Sequence, residues 1–298
     1  MEYHQPVLAT EAIEALNIVP QGIYVDATFG GGGHSALILK QLGENGKLLG
    51  FDQDEAARQN IPADERFIFV QQNFRYLKRF LRLHGIREVH GILADLGVSS
   101  HQLDIAERGF SYRFQADLDM RMNQQGERNA ADVLNTYSEQ QLQQLFSDYG
   151  QVRNAKTLAQ EIVKARNTRP FKRIEDLMLC LDPLIRGQRL RYLSQVFQAL
   201  RMEVNEEVAV LEEFLNQALE VLRPGGRLVI IAYHSVEDRI AKNFLKWGNS
   251  KGEPQKDDYG HIERPFQLIT KKPIEPSEAE VKSNSRARSA KMRVGEKY

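Results

Sequence analysis

Four consecutive glycines, Gly30-Gly31-Gly32-Gly33, stand between Asp26-Ala27-Thr28-Phe29 and His34-Ser35, directly after the apolar run Ile23-Tyr24-Val25-Asp26. A glycine run that joins a strand to a helix lets backbone approach a ligand closely, because no Cβ intervenes. The helix start adds a favourable field and free N–H donors. The run fits the dinucleotide fingerprint G-x-G-x-x-G poorly, and no Gly-Lys-Ser/Thr triplet makes it a phosphate loop. A tight turn would account for two glycines, not four. Asp52 closes the next strand-like run, Lys47–Asp52, where nucleotide-binding α/β folds place the acid that holds ribose hydroxyls. A carboxylate accepts several hydrogen bonds and suits a vicinal diol. A lone acid at a strand end more commonly just faces solvent; its pairing with the glycine run favours the ribose. Together they point to a ligand with an adenosine-like ribose and no diphosphate.

A third acid, Asp95, ends the apolar run Gly91–Asp95, at the strand end where ligands of open α/β sheets converge. The segment Leu96–Asp104 after it is polar and lacks helical periodicity; it reads as a loop, functional or capping. His234 and Ser235 follow a further run, Arg227–Tyr233, and either hold a substrate or cap the turn into a helix. A Ser/His/Asp hydrolase needs a G-x-S-x-G elbow, which is absent. His4, His34, His101 and His234 are scattered, no H-E-x-x-H occurs, and Cys180 is the one cysteine, so neither a catalytic metal nor a disulfide is expected.

These residues need a sheet to hold them. Ile23–Asp26, Lys47–Asp52, Phe67–Val70, Gly91–Asp95 and Arg227–Tyr233 read as strands, the last buried on both faces because its apolar run is continuous. Ser35–Leu42 reads as a helix, and Val204, Val208, Leu211, Leu215, Leu219 and Leu222 stripe another that Arg223-Pro224-Gly225-Gly226 stops. Phe266–Thr270 and Ala290–Val294 form a late antiparallel hairpin. Between about residues 104 and 204 the chain is rich in Gln, Arg and Leu, and Val152, Ala155, Ala159, Ile162 and Val163 share a helical face. The fold class is therefore α/β: a Rossmann-like, doubly wound sheet over 1–104 and 205–298, carrying a helical insert over 105–204.

Composition bounds the partners. Hydrophobic content of 42% and charged content of 27% fit an ordinary globular protein. No apolar run approaches the roughly 20 residues of a membrane span, and the first residues lack a signal-peptide pattern, so no membrane role and a cytoplasmic location are expected. The net charge of zero argues against a uniformly basic coat. Basic residues do cluster at Lys282, Arg286, Arg288, Lys291, Arg293 and Lys297, and at Arg166, Arg169, Lys172, Arg173, Arg186, Arg189 and Arg191. Each cluster is a polyanion contact or a solvated face.

Motifs along nearly the whole chain resemble the bacterial ribosomal RNA small subunit methyltransferase H family, also called MraW. They include His4-Gln5-Pro6-Val7-Leu8, Val25-Asp26-Ala27-Thr28-Phe29 leading to Gly32-Gly33-His34-Ser35, and Asp95-Leu96-Gly97-Val98-Ser99-Ser100. Arg108-Gly109-Phe110-Ser111, Leu118-Asp119-Met120-Arg121-Met122, Phe197-Gln198-Ala199-Leu200-Arg201 and His234-Ser235-Val236-Glu237-Asp238-Arg239 belong with them, as does the tail Ser285–Val294. Two positions depart from the family: Gln151 stands where glutamate is usual, and Arg191-Tyr192-Leu193-Ser194 replaces a His-Pro-Ala-Thr run.

The resemblance implies a class I S-adenosylmethionine methyltransferase acting on the N4 of one cytidine in the decoding region of 16S rRNA, within the small ribosomal subunit. It also implies a homodimer. By motif, Gly32, Gly33 and His34 would contact the cofactor, Asp52 its ribose and Phe74 its adenine, with Asp95 and Gln102 completing the shell. Asp95 is also the candidate acceptor of an N4 proton; both of its roles stay open. The insert and basic tail would hold RNA phosphates, and Tyr112, Phe114 or Tyr192 would stack on a displaced base or simply pack. A same-fold enzyme with another RNA substrate, and a non-enzymatic ribosome-assembly factor, are the alternatives.

Overall fold

The computed structural model describes residues 6–254, 256 and 259–298; His4 and Gln5 of the first motif lie outside them. The chain divides into two compact units, Met1–Gly97 with Ala209–Tyr298, and Val98–Val208.

The first unit is built on seven strands: β1 (Ile23–Asp26), β2 (Lys47–Phe51), β3 (Phe67–Val70), β4 (Val89–Asp95), β5 (Leu222–Ala232), β6 (Phe266–Leu268) and β7 (Lys291–Lys297). Their order across the sheet is β3-β2-β1-β4-β5-β7-β6. The first five are parallel, while β7 runs antiparallel between β5 and β6. The expected late hairpin is thus present. Helix α1 (Ala9–Leu16) precedes β1, α2 (Gly33–Gln41) joins β1 to β2, and α3 (Leu77–Leu83) lies between β3 and β4. The apolar strands are buried because the sheet is layered, with Val25, Leu49, Ile92, Leu93, Val229 and Ile230 at 0% exposure. Arg223-Pro224-Gly225-Gly226 sits where the β4–β5 register jumps from Val89↔Leu222 to Gly91↔Arg227.

The second unit is helical: α4 (Ser100–Asp104), α5 (Ala130–Thr136), α6 (Glu139–Asp148), α7 (Ala155–Thr168), α8 (Ile174–Leu181) and α9 (Arg189–Val204). Two further helices, α10 (Glu207–Val221) and α11 (Ser235–Trp247), flank β5 in the chain, and α12 (Glu278–Ser283) precedes β7. The segment expected as a loop thus contains a one-turn helix, α4, begun by a capping box in which Ser99 and Gln102 bond each other's backbone N–H. Five residues are too few to display a period, so only the Ser-x-x-Gln spacing could have disclosed it. Helix α7 buries Ala155, Leu158, Ala159 and Ile162; Val152 lies ahead of it and Val163 is only half-buried.

Two of the family motifs prove to be framework in this unit. Arg108 is buried and donates to the carbonyls of Arg121 and Met122, both at 3.0 Å. At the end of α9, Asn205 accepts the Met122 N–H and donates to the Met120 carbonyl, both at 2.8 Å. These bonds anchor a segment whose Met120 has left-handed backbone, φ 60°.

Candidate active site

The carboxyl ends of β1, β2, β4 and β5 carry Asp26, Asp52, Asp95 and Tyr233. Strand order reverses direction at β1, since the chain builds outward to β2 and β3, then returns to β4 on the other side. Ligands of open α/β sheets bind at such a switch point, beyond the strand ends.

Asp26, the last residue of β1, is 1% exposed. It accepts from the Ser35 hydroxyl at 2.7 Å and from the Thr28 N–H at 3.1 Å, tying both ends of the glycine loop to the strand. Burial raises its pKa, countered by the His34 ring and these hydrogen bonds. Within the loop the glycines differ. Gly32 has φ 74°, and a Cβ there would lie 3.1 Å from the Phe29 ring. At Gly33 a Cβ would crowd the Pro6 ring at 3.1 Å, so that space serves packing. A Cβ on Gly31 would meet nothing within 4 Å, leaving open room above exposed backbone. Helix α2 begins at Gly33, and the first N–H groups of a helix have no acceptor inside it; here they belong to Gly33, His34 and Ser35.

Asp52 follows β2 directly. One of its oxygens accepts the Gly30 N–H and the other the Asp54 N–H, each at 2.8 Å. Burial pushes its carboxyl up to about 6, against those two hydrogen bonds. A carboxylate offers about four lone-pair sites, so capacity remains for a diol. Asn60 closes the far side, donating to the Gly30 carbonyl at 2.9 Å. Phe74 starts a short turn after β3 capped by Asn73 and lies edge-on to Phe214, ring centroids 5.0 Å apart.

Asp95 ends β4. Its N–H donates to the Thr28 hydroxyl at 2.7 Å, and its Oδ1 accepts the Tyr233 hydroxyl at 2.8 Å. Its Oδ2 lies 3.8 Å from Nδ1 of His34, whose Nε2 is 3.0 Å from the Val7 carbonyl. A carbonyl only accepts, so Nε2 of His34 carries a proton. The His34 side chain is 5% exposed and spans Val7 and Asp95. Burial pushes the Asp95 carboxyl up to about 6, with His34 and the Tyr233 hydroxyl pulling it down.

His234 immediately precedes α11 as its cap, its ring Nδ1 accepting the Glu237 N–H at 3.4 Å, and Ser235 begins the helix; of the two roles open to His234, capping is the one visible. Tyr233, in sequence no more than a strand end, joins the acids here. A hydroxyl-bearing aromatic closing a strand, beside an expected cluster of acids, was the available signal.

In the second unit, Gln102 is 5% exposed, with its carbonyl oxygen bound to the Ser99 N–H. Tyr192 is 4% exposed and belongs to the helical core, so it packs and does not stack on a base. Tyr112 lies edge-on to Phe197 at 5.5 Å, and Phe114 packs near Arg113. Of the departures, Gln151 takes left-handed backbone, φ 52°, while Arg191 and Ser194 face solvent on α9.

The basic clusters shrink once partners are counted. Arg293 is 9% exposed and holds Asp238 through two bonds, at 2.6 and 3.1 Å. Lys297 donates to the carbonyls of Leu219 and Leu222. Two of the six basic residues of the tail are therefore committed within β7, while Lys282 and Arg288, ahead of that strand, are exposed. Arg166 caps α5 carbonyls, Arg169 pairs with Asp176 and Arg189 with Asp182. Lys172, Arg186 and Arg191 remain exposed and, among the described residues, outside any ion pair.

Three carboxylates converge here, Asp26 buried and Asp52 and Asp95 half-buried, with the His34 ring beside Asp26 and Asp95, so the crevice favours a cationic ligand. S-adenosylmethionine carries a sulfonium and an ammonium, together with the ribose that Asp52 can meet. With the sheet order and the glycine loop, this defines a class I S-adenosylmethionine-dependent methyltransferase. The chain belongs to the MraW methylase family, whose model matches residues 1–298. It is 55% identical over 298 residues to the ribosomal RNA small subunit methyltransferase H of Flavobacterium johnsoniae, covering 100% of this chain and 98% of the relative. The protein of the same name from Bacteroides thetaiotaomicron is 52% identical over 298 residues, with 100% and 98% covered. Among solved structures, an rRNA methylase from Streptococcus thermophilus aligns over 97% of this chain and 93% of its own at 14% identity, with a TM-score of 0.41, too distant to add to the sheet order.

Proposed function

We propose that this enzyme methylates the exocyclic N4 of one cytidine in the decoding region of 16S rRNA, with S-adenosylmethionine as donor and the small ribosomal subunit as substrate particle. Its family and the names of its relatives support ribosomal RNA as the acceptor. The observation that carries the chemistry is Asp95, a desolvated carboxylate at the switch point with Oδ1 engaged by Tyr233.

When bound, S-adenosylmethionine supplies an electrophilic methyl group. In this reading Gly32, Gly33 and His34 hold it along the loop and helix start, Asp52 takes the ribose, Phe74 flanks the adenine and Gln102 completes the shell. The N4 lone pair forms the new N–C bond while the C–S electron pair leaves with sulfur. The amine becomes positive and loses one proton to Oδ2 of Asp95, which passes it to water. Cytosine N4 is a weak nucleophile because its lone pair is delocalised, so an acceptor that drains the developing charge lowers the barrier. Holding both reactants in line contributes further, on the order of 7–11 kcal/mol at the favourable limit.

The base must leave any stack to reach the donor. The Val98–Val208 unit is the substrate-recognition domain in this reading, with Lys172, Arg186 and Arg191 meeting phosphates. The enzyme works in the cytoplasm as the homodimer expected of its family, a state that sedimentation tests directly. Radiolabelled methyl transfer to unmodified small-subunit particles, followed by mass mapping of nucleosides, tests the whole. Label as N4-methylcytidine in the decoding region supports it. Label on another base moves the enzyme to a different substrate, and cofactor binding without label makes it an assembly factor.

A further inference from the structure

Tyr233 is the first residue past β5, and it is held at both ends. Its backbone N–H donates to Glu237 Oε2 at 3.1 Å, anchoring it to α11. Its hydroxyl reaches across to β4 and donates to Asp95 Oδ1 at 2.8 Å. The ring lies beside Gly97, where a Cβ would sit 3.7 Å from Cδ2 of Tyr233. Burial and the neighbouring Asp95 raise the phenol far above its usual range, so it stays a donor throughout the working pH. It cannot take a proton from the substrate, and it does not give one up.

We infer that Tyr233 is a positioning residue for methyl transfer: its hydroxyl locks the Asp95 carboxylate and keeps it ionised, leaving Oδ2 as the oxygen that receives the N4 proton. This rests on the reading of Asp95 as proton acceptor. A hydrogen bond donated to a carboxylate favours the charged form. The other groups facing Asp95 act in both directions. His34 from α2 favours ionisation, while Asp26 from β1 and Glu237 from α11 oppose it. Asp95 thus depends on few favourable contacts, and the Tyr233 hydroxyl is one of them. The backbone of Asp95 is fixed separately, through its N–H to the Thr28 hydroxyl, so losing the phenol frees the carboxylate without freeing the strand.

Tyr233→Phe keeps the ring beside Gly97 and removes only the hydroxyl. Single-turnover rates on unmodified small-subunit particles, at saturating S-adenosylmethionine, are measured across pH for wild type, Tyr233→Phe and Asp95→Asn. The expected result is an acid limb moved upward by about one pH unit in Tyr233→Phe. Its rate is about twofold lower at pH 7 and roughly fivefold lower at pH 6, recovering in alkali, with the KM for the cofactor unchanged within twofold. A ring serving only as packing would lower the rate equally at every pH or raise that KM, and either result overturns the inference. If Asp95→Asn loses turnover but the acid limb of Tyr233→Phe coincides with wild type, the Tyr233 role fails while Asp95 stands. If Asp95→Asn turns over at nearly the wild-type rate, the acceptor reading itself falls.

Discussion

The Asp52 carboxylate, one residue beyond β2, accepts the N–H of Gly30 at 2.8 Å and so joins the second strand to the glycine loop that follows the first. The same group is the one assigned to the ribose. Asp52→Ala therefore removes a loop anchor and a ligand acceptor together. Calorimetric titration with S-adenosylhomocysteine is expected to show affinity reduced at least tenfold, on the order of 1.5–3 kcal/mol. Unchanged affinity would remove Asp52 from the site.

Gly31 and Gly32 separate ligand space from backbone need. Gly32→Ala places a Cβ at φ 74° and 3.1 Å from the Phe29 ring, so the melting temperature should fall, with a cost of about 1–2 kcal/mol. Gly31→Ala meets nothing within 4 Å, so it should melt like wild type and lose cofactor affinity. Equal melting of the two variants would contradict this division.

Burial holds the carboxyls of Asp52 and Asp95 up at about 6, from an ordinary value of 3.8. A carboxyl with a raised folded pKa stabilises the fold below its unfolded value, and that contribution is lost as pH rises from about 4 to about 6. Asp95→Asn deletes one desolvated charge, so it should melt a few degrees above wild type near pH 8 and show no such gain near pH 4. A lower melting temperature near pH 8 would mean the charge is well compensated.

The same shifts govern the cofactor. A cationic ligand favours ionised carboxylates, so binding S-adenosylmethionine should release protons near pH 6, and affinity should fall between about pH 7 and pH 5. Titrations in buffers of different ionisation heat count those protons. A count of zero near pH 6 would show that neither acid faces the ligand.

Arg293 and Lys172 come from the two basic clusters and should behave differently. Arg293→Ala leaves Asp238 without its two-bond partner at a buried edge, which should cost about 3–5 kcal/mol of stability. Lys172→Ala, alone or with Arg186→Ala and Arg191→Ala, should leave melting unchanged. It should weaken particle binding and flatten its salt dependence by about one unit of slope for each phosphate no longer neutralised. A salt slope equal to wild type in the triple variant would place the RNA elsewhere.

Local order is legible in the chain itself. β1 and β3 match their apolar runs residue for residue, β2 and β4 to within two residues, and the acids fall on or next to the strand ends. Continuous apolar runs and glycine stops are local properties, and sheet burial enforces them in place. Chain-long motifs likewise identify the family, because they record many positions at once. Charge and aromatic content mislead where the partner is remote: Arg293 meets Asp238 from 55 residues away, and Tyr192 is enclosed by a helical core. Pairing and burial are properties of where two distant segments meet, which composition does not encode. The same reason hides Tyr233. Its hydroxyl lies 138 residues from Asp95 in the chain and 2.8 Å away in space. Local runs and motifs thus identify the donor, the sheet and the position of each acid, whereas which charges are already taken, and which side chain holds Asp95, depend on distant segments meeting in the fold.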